Sequence, residues 1–132
     1  DYFQKFSLFQ LKRNGNSLKK KRKKGVVLHL KDLIYERSEV YALFEVKNRS
    51  GIDFEVEYLK IFKFNGNPKR KSSHQKLLLT PVHRQDFPEQ IRDKQTATFA
   101  IVLPKFTLGE SERLLIELRE RNGSRGVVLE VR

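Results

Sequence analysis

Two-residue alternation of apolar and polar side chains runs through this chain from Val26 to its end, and it predicts strands. Leu28 and Leu30 alternate with His29 and Lys31, and the phase then flips across Lys31-Asp32 so that Leu33 and Tyr35 pair up. A flip of that kind predicts a bulge or bend. In EVYALFEVKNRSG, Val40, Ala42, Phe44 and Val46 fall on one face and Tyr41, Glu45 and Lys47 on the other, where Leu43 alone breaks the polarity. The same rule places Phe54, Val56, Tyr58, Phe62 and Phe64 of FEVEYLKIFKF on one face. Ser50-Gly51 and Asn65-Gly66 supply turn chemistry between these runs.

QKLLLTPVHR is a further extended stretch, in which Pro81 calls for an edge position or a strand end. TATFAIVLP alternates Ala97, Phe99, Ile101 and Leu103, and Pro104 closes it. RLLIELRERNGSRGVVLEVR reads as a terminal hairpin: Leu114, Ile116 and Leu118 face in, Asn122-Gly123-Ser124 turns, and Val127, Leu129 and Val131 return. SERLLIELRERNG also fits a helix capped by Gly123, but the tight spacing beyond the turn favours the hairpin. About seven short strands over residues 26–132 match an immunoglobulin-like antiparallel β-sandwich, an all-β fold of this size. The cysteine pair and tryptophan of antibody domains are missing, so that likeness is architectural only.

Residues 1–25 read differently. Tyr2, Phe6 and Phe9 share one helical face with Leu8 and Leu11 nearby, and Asn14-Gly15-Asn16 ends the pattern. The segment is expected to be a short amphipathic piece, or part of a preceding domain, followed by a basic linker to a single sandwich domain at 26–132. Charge sharpens the division. The chain carries +12; residues 1–24 hold nine basic residues and one acid, and the other 108 residues contribute only +4. Six of the nine are contiguous: Lys19, Lys20, Lys21, Arg22, Lys23 and Lys24. The run lacks the interleaved aromatics that stack bases and the glycines that shape a groove. It reads foremost as a solvated junction suited to an anionic neighbourhood, then as a non-specific contact to nucleic acid or an anionic surface, and last as an address signal.

Catalytic chemistry is hard to find. His29, His74 and His83 lie far apart with no carboxylate at ligand spacing, and with no cysteine present neither a metal nor a cofactor is expected. No Gly-x-Ser-x-Gly elbow exists, and Ser111 in LGESER suits a turn. Glu55 and Glu57 share a strand face, as do Glu117 and Arg119, the usual solvated side of a sheet rather than an acid–base pair. GNPKRKSS lacks the second glycine of a phosphate loop, and Pro68 removes a needed N–H. It reads as a hairpin loop with three cations, Lys69, Arg70 and Lys71, the second candidate polyanion contact. No apolar run approaches the ~20 residues that span a bilayer. The chain has no methionine and starts at Asp1, which points to a processed product or an excised fragment, so a missing signal peptide says nothing about destination.

The ordered series LKDLIY, FEVKNRSGIDFEVEYLKIFKF, KRKSSHQKLLLTPVH and TATFAIVLPKFTLGESERLLIELRERNGSRGVVLEV resembles the C-terminal β-sandwich, a DUF4138-like domain, of the TraN family of conjugative transposons from Bacteroides-type bacteria. The likeness covers residues 26–132; the long basic run has no counterpart in it. The resemblance implies a non-catalytic subunit of a conjugative-transfer, type IV secretion-like complex in the cell envelope, at the periplasm or outer membrane. Its partners would be other conjugation-apparatus proteins, the outer-membrane-complex subunits, with a homo-oligomer also open. Physically, a sandwich can offer an open edge strand to a partner. Outward Tyr41 and Leu43 form a candidate protein-contact patch on an otherwise charged face. The alternative is a non-specific nucleic-acid-binding accessory domain using residues 19–24 and 69–71. A carbohydrate-binding sandwich ranks last, because there is no tryptophan and only four tyrosines to stack on a sugar.

Overall fold

A computed structural model describes residues 1–65 and 75–132. The chain runs α1 (Tyr2–Arg13), β1 (Lys19–Lys23), β2 (Val26–Glu36), β3 (Glu39–Asn48), β4 (Phe54–Asn65), β5 (Gln75–Leu79), β6 (His83–Gln85), β7 (Gln90–Ile91), β8 (Thr96–Pro104), β9 (Glu112–Glu120) and β10 (Gly126–Val131). The strands form two antiparallel five-stranded sheets. The first has the order β1-β2-β3-β8-β6; the second has β10-β9-β4-β5, with β7 also on β4. The sandwich is as expected, but with ten strands among the described residues rather than seven. The basic run supplies β1, QKLLLTPVHR divides into β5 and β6, and β7 is a two-residue bridge too short to leave a pattern.

The alternation identifies most of the core. Leu28, Leu30, Val40, Ala42, Phe44, Val46, Phe99, Ile101 and Leu103 of the first sheet meet Leu114, Ile116, Leu118, Val127, Leu129 and Val131 of the second. Phe44 stacks on Phe99 at 5.3 Å, and Phe87 meets Phe99 edge-on at 5.2 Å, arrangements the ring quadrupole favours. The expected phase flip in β2 is real: pairing with β3 shifts between Leu30 and Asp32. A second bulge was not legible. Pairing of β4 with β9 shifts between Val56 and Tyr58, so Leu59 and Ile61 turn into the core. Tyr58, Phe62 and Phe64, expected to face in, lie on the outer side. There Lys60 Nζ sits 4.2 Å over the Tyr58 ring, Lys76 Nζ 4.2 Å over Phe62, and Arg113 Cζ 5.4 Å over Phe64. Cations over ring faces let three aromatics sit half-buried outside.

The amino-terminal segment is part of this fold. Asp1 caps α1 by accepting from the Phe3 N–H at 2.8 Å, and Lys12 and Arg13 in the last turn suit the negative end of the helix dipole. The helix lies on the outer face of the first sheet, where Phe3, Phe6 and Leu11 cover Tyr41, Leu43, Ala100 and Val102. The buried face is therefore Phe3–Phe6–Ser7–Leu11 rather than Tyr2–Phe6–Phe9, and Phe9 is 52% exposed. The turn after α1 is fixed by Asp32, just past the β2 bulge, which accepts from Asn14 Nδ2 at 2.7 Å and Asn16 Nδ2 at 2.9 Å. At one end of the sandwich, buried Asn48 donates to the carbonyls of Ile52 and Ile91 (2.8 and 2.9 Å) and accepts from Ser50 N–H and Oγ. Every polar valence of that amide is thus used, which is what its burial requires.

Candidate interaction site

The basic run is a strand, which corrects the linker expectation. Lys19 to Lys23 pair antiparallel with Leu30 to Val26, through a two-residue turn at Lys24 (φ 49°) and Gly25 (φ 81°). Positive φ at both positions is the type I′ arrangement that matches strand twist. A Cβ on Gly25 would also sit 2.6 Å from Ser50 Cα. Directly opposed residues share a face, so Lys19, Lys21 and Lys23 lie with the inward Leu30, Leu28 and Val26, while Lys20 and Arg22 lie with His29 and Val27 on the outer face. All five residues of β1 are exposed. Lys19, Lys20 and Lys21 line a shallow groove of about 250 Å³ against Val128, Leu129 and Glu130 of β10. Inward-pointing lysines on a terminal strand are a recognised defence against pairing with another chain, and the same five cations make a compact, strongly positive edge. The signal for this strand was the Lys24-Gly25 pair directly before Val26.

Lys69, Arg70, Lys71 and His74 lie outside the described residues. The Tyr41 and Leu43 contact patch is corrected: both side chains are fully buried beneath α1. Alternation places them on the outer face correctly, but that face is covered by the protein's own helix. Burial pushes the Tyr41 phenol up to about 12, and its hydroxyl, like the buried Ser7 Oγ, has no hydrogen-bond partner among the described residues.

Several other titratable groups have partners within the fold. His29 accepts or donates at Ser17 Oγ (2.7 Å) and lies 3.8 Å from Glu45; burial, then Lys31, lowers its pKa. Glu120 is held below the usual carboxylate range by the Arg125 guanidinium, which also donates to Ser50 Oγ and the Asp53 carbonyl. Glu112 is lowered by the Gly109 N–H, and Ser111 Oγ donates to Asn65 at 3.1 Å, a turn role. Glu117 pairs with Lys76 at 2.8 Å. Among the described residues no cluster of three or more His, Asp or Glu could hold a metal, and no helix is long and apolar enough to cross a membrane.

The opposite side of the sandwich has a different character. There β5 ends the second sheet and β6 the first. On β5, Leu77 is 62% and Leu78 48% exposed, and Val82, just before β6, is 48% exposed; β5 carries one lysine against the four lysines and one arginine of β1. The sequence held this signal: Leu77 and Leu78 are neighbours on a strand, so they point to opposite faces and one at least must miss the core.

No curated protein and no solved structure matches the chain. A protein family does, over residues 5–132, a span that takes in most of α1 and all of β1 along with the sandwich. The chain thus belongs to the DUF4138 family, a domain of unknown function.

Proposed function

We propose that this domain is a non-catalytic assembly subunit of a conjugative-transfer envelope complex of the TraN type, acting through protein–protein contacts. The observation that carries the reading is the unequal treatment of the two sides of the sandwich. β1, which ends the first sheet on one side, is armed with cations on both faces; β5, which ends the second sheet on the opposite side, leaves Leu77 and Leu78 in water. Edge strands are ordinarily blunted by charge, proline or cover, and an exposed apolar edge marks an interaction site. The transfer apparatus and the envelope location come from the ordered resemblance of residues 26–132 to the TraN family. Purification of the tagged protein from detergent-solubilised donor envelopes tests it. Co-recovery of other transfer-apparatus proteins is expected, and recovery of none contradicts it.

A second reading is favoured by β1 itself: five cations on one short strand suit a polyanion, nucleic acid or an anionic surface, without sequence preference. Binding of labelled duplex DNA that collapses with salt and disappears in a β1 charge-neutral variant supports it. Binding that prefers one sequence and ignores β1 contradicts it.

A further inference from the structure

The strand position beside β4 in the second sheet is interrupted. Its upper part is filled by β5, which pairs Leu79 with Ile61 and Gln75 with Asn65. Its lower part is filled by β7, opposite Phe54 and Glu55, and by the Glu89 carbonyl, which accepts from the Val56 N–H at 2.9 Å. Between them, among the described residues, no strand lies beside Glu57 to Lys60, a gap of about 13 Å at strand spacing. The cause is local. Leu79 is still paired in the second sheet, whereas the Val82 N–H already bonds Val102 of the first at 2.8 Å. Thr80 and Pro81 alone make the crossing and draw the chain off β4.

A cavity of about 370 Å³ opens at that gap. Leu59, Ile61, Leu79 and Phe87 line it, with Leu78, Glu57, Lys60 and Arg84 also on its wall. In an antiparallel strand, alternate residues turn both backbone groups to the same neighbour. Part of the N–H and C=O set of Glu57 to Lys60 therefore faces the side where no strand lies. We propose that this notch docks an extended peptide segment of a partner protein. Its backbone completes the strand position beside Glu57–Lys60, one apolar side chain seats on Leu59, Ile61, Leu79 and Phe87, and an adjacent carboxylate meets Lys60 and Arg84. An extended backbone is the ligand that matches donors and acceptors at strand spacing. Two cations against one acid on the wall, in a chain of net charge +12, favour an acidic segment and disfavour a second copy of this protein.

This inference deepens the assembly reading and rests on it for the source of the peptide, but its test does not use the transfer apparatus. The probe is a random twelve-residue peptide library displayed on phage, followed by amide hydrogen exchange of the full chain with the strongest selected peptide. Enriched peptides should carry apolar residues at alternate positions and at least one Asp or Glu. Binding should slow exchange within residues 57–60, and Leu78→Asp and Arg84→Glu, both at exposed positions, should each weaken it about tenfold while thermal unfolding stays unchanged. Failure to enrich any peptide, protection confined to β1 or β10, or affinity indifferent to both variants overturns the proposal. So does protection of 57–60 by self-association of the free protein. Each of those results leaves the assembly reading standing, whereas envelope purification without partners, alongside a peptide bound in the notch, removes only that reading.

Discussion

The ring of Phe6, on α1, lies 4.6 Å from the ring of Tyr41, on β3, tilted by 58°. This contact seats the amino-terminal helix on the first sheet and turns an apparent surface patch into a second, smaller core of Tyr41, Leu43, Ala100 and Val102. Phe6→Ala removes a ring from that seam and should lower stability by about 2–3 kcal/mol, below the range for a fully buried phenylalanine because Phe6 is only partly covered. Deleting residues 1–14 should expose the seam and yield a protein that binds a hydrophobic dye and self-associates. Chemical denaturation and dye fluorescence check both.

Tyr41→Phe is expected to be neutral or stabilising at pH 7, because it deletes a buried hydroxyl with no partner among the described residues. The phenol is raised in the folded state to about 12 from 10.0. The stability linked to it is fully present below pH 10 and is lost as pH rises from 10 towards 12. The wild type should therefore lose stability over that window, and the variant should lose less. Denaturation midpoints measured from pH 8 to 11.5 decide the matter.

Glu120 titrates in the other direction. Its depressed pKa contributes stability that is present above the unfolded carboxylate value of 4.5 and is lost as pH falls through the lower folded value. Glu120→Gln should flatten the acid limb of the stability profile and leave the alkaline limb alone. A Gln variant as acid-sensitive as the wild type would show that the Arg125 pair carries no pH-dependent stability.

The β1–β2 turn gives a paired test. Gly25→Ala meets both a positive φ and Ser50 Cα at 2.6 Å, so it should cost at least about 2 kcal/mol. Lys24→Asn keeps the turn geometry with the residue that type I′ turns favour, and should be neutral or stabilising by about 0.5 kcal/mol. Equal effects from the two changes would mean that Lys19–Lys23 do not form a strand.

Much of the fold was legible because alternation reports which face is buried. Val40, Ala42, Phe44 and Val46, and the two strands of the terminal hairpin, needed nothing more. Alternation fails where a bulge is hidden by chemistry that looks the same on both faces. Tyr58, Phe62 and Phe64 are aromatic, so nothing in FEVEYLKIFKF betrays that they sit outside beneath cations. It also cannot reveal what lies on top of a sheet. Tyr41 and Leu43 are outward as expected, yet covered, because helical and strand patterns do not state which element packs on which. The basic run misled for a third reason: five exposed cations carry no alternation, and only pairing with Val26–Leu30 makes them a strand. The candidate docking side was half-visible in Leu77-Leu78, while the gap beside Glu57–Lys60 arises from a two-residue crossing that only topology shows.

Replacing the inward lysines by threonine (Lys19→Thr, Lys21→Thr, Lys23→Thr) keeps the β propensity of β1 and removes its guard. The triple variant should fold and then associate through β1, with a sedimentation coefficient that rises with concentration. A variant that stays monomeric would assign those charges to a ligand rather than to protection.

The central claim is that contacts are made on the β5–β6 side and refused on the β1 side. A photo-crosslinking amino acid placed in turn at Leu78, Lys21 and Val128, in donor cells carrying the whole transfer apparatus, tests it most directly. Adducts with transfer-apparatus proteins from position 78, and none from positions 21 and 128, are the predicted result. Adducts only from position 21 or 128 would contradict it.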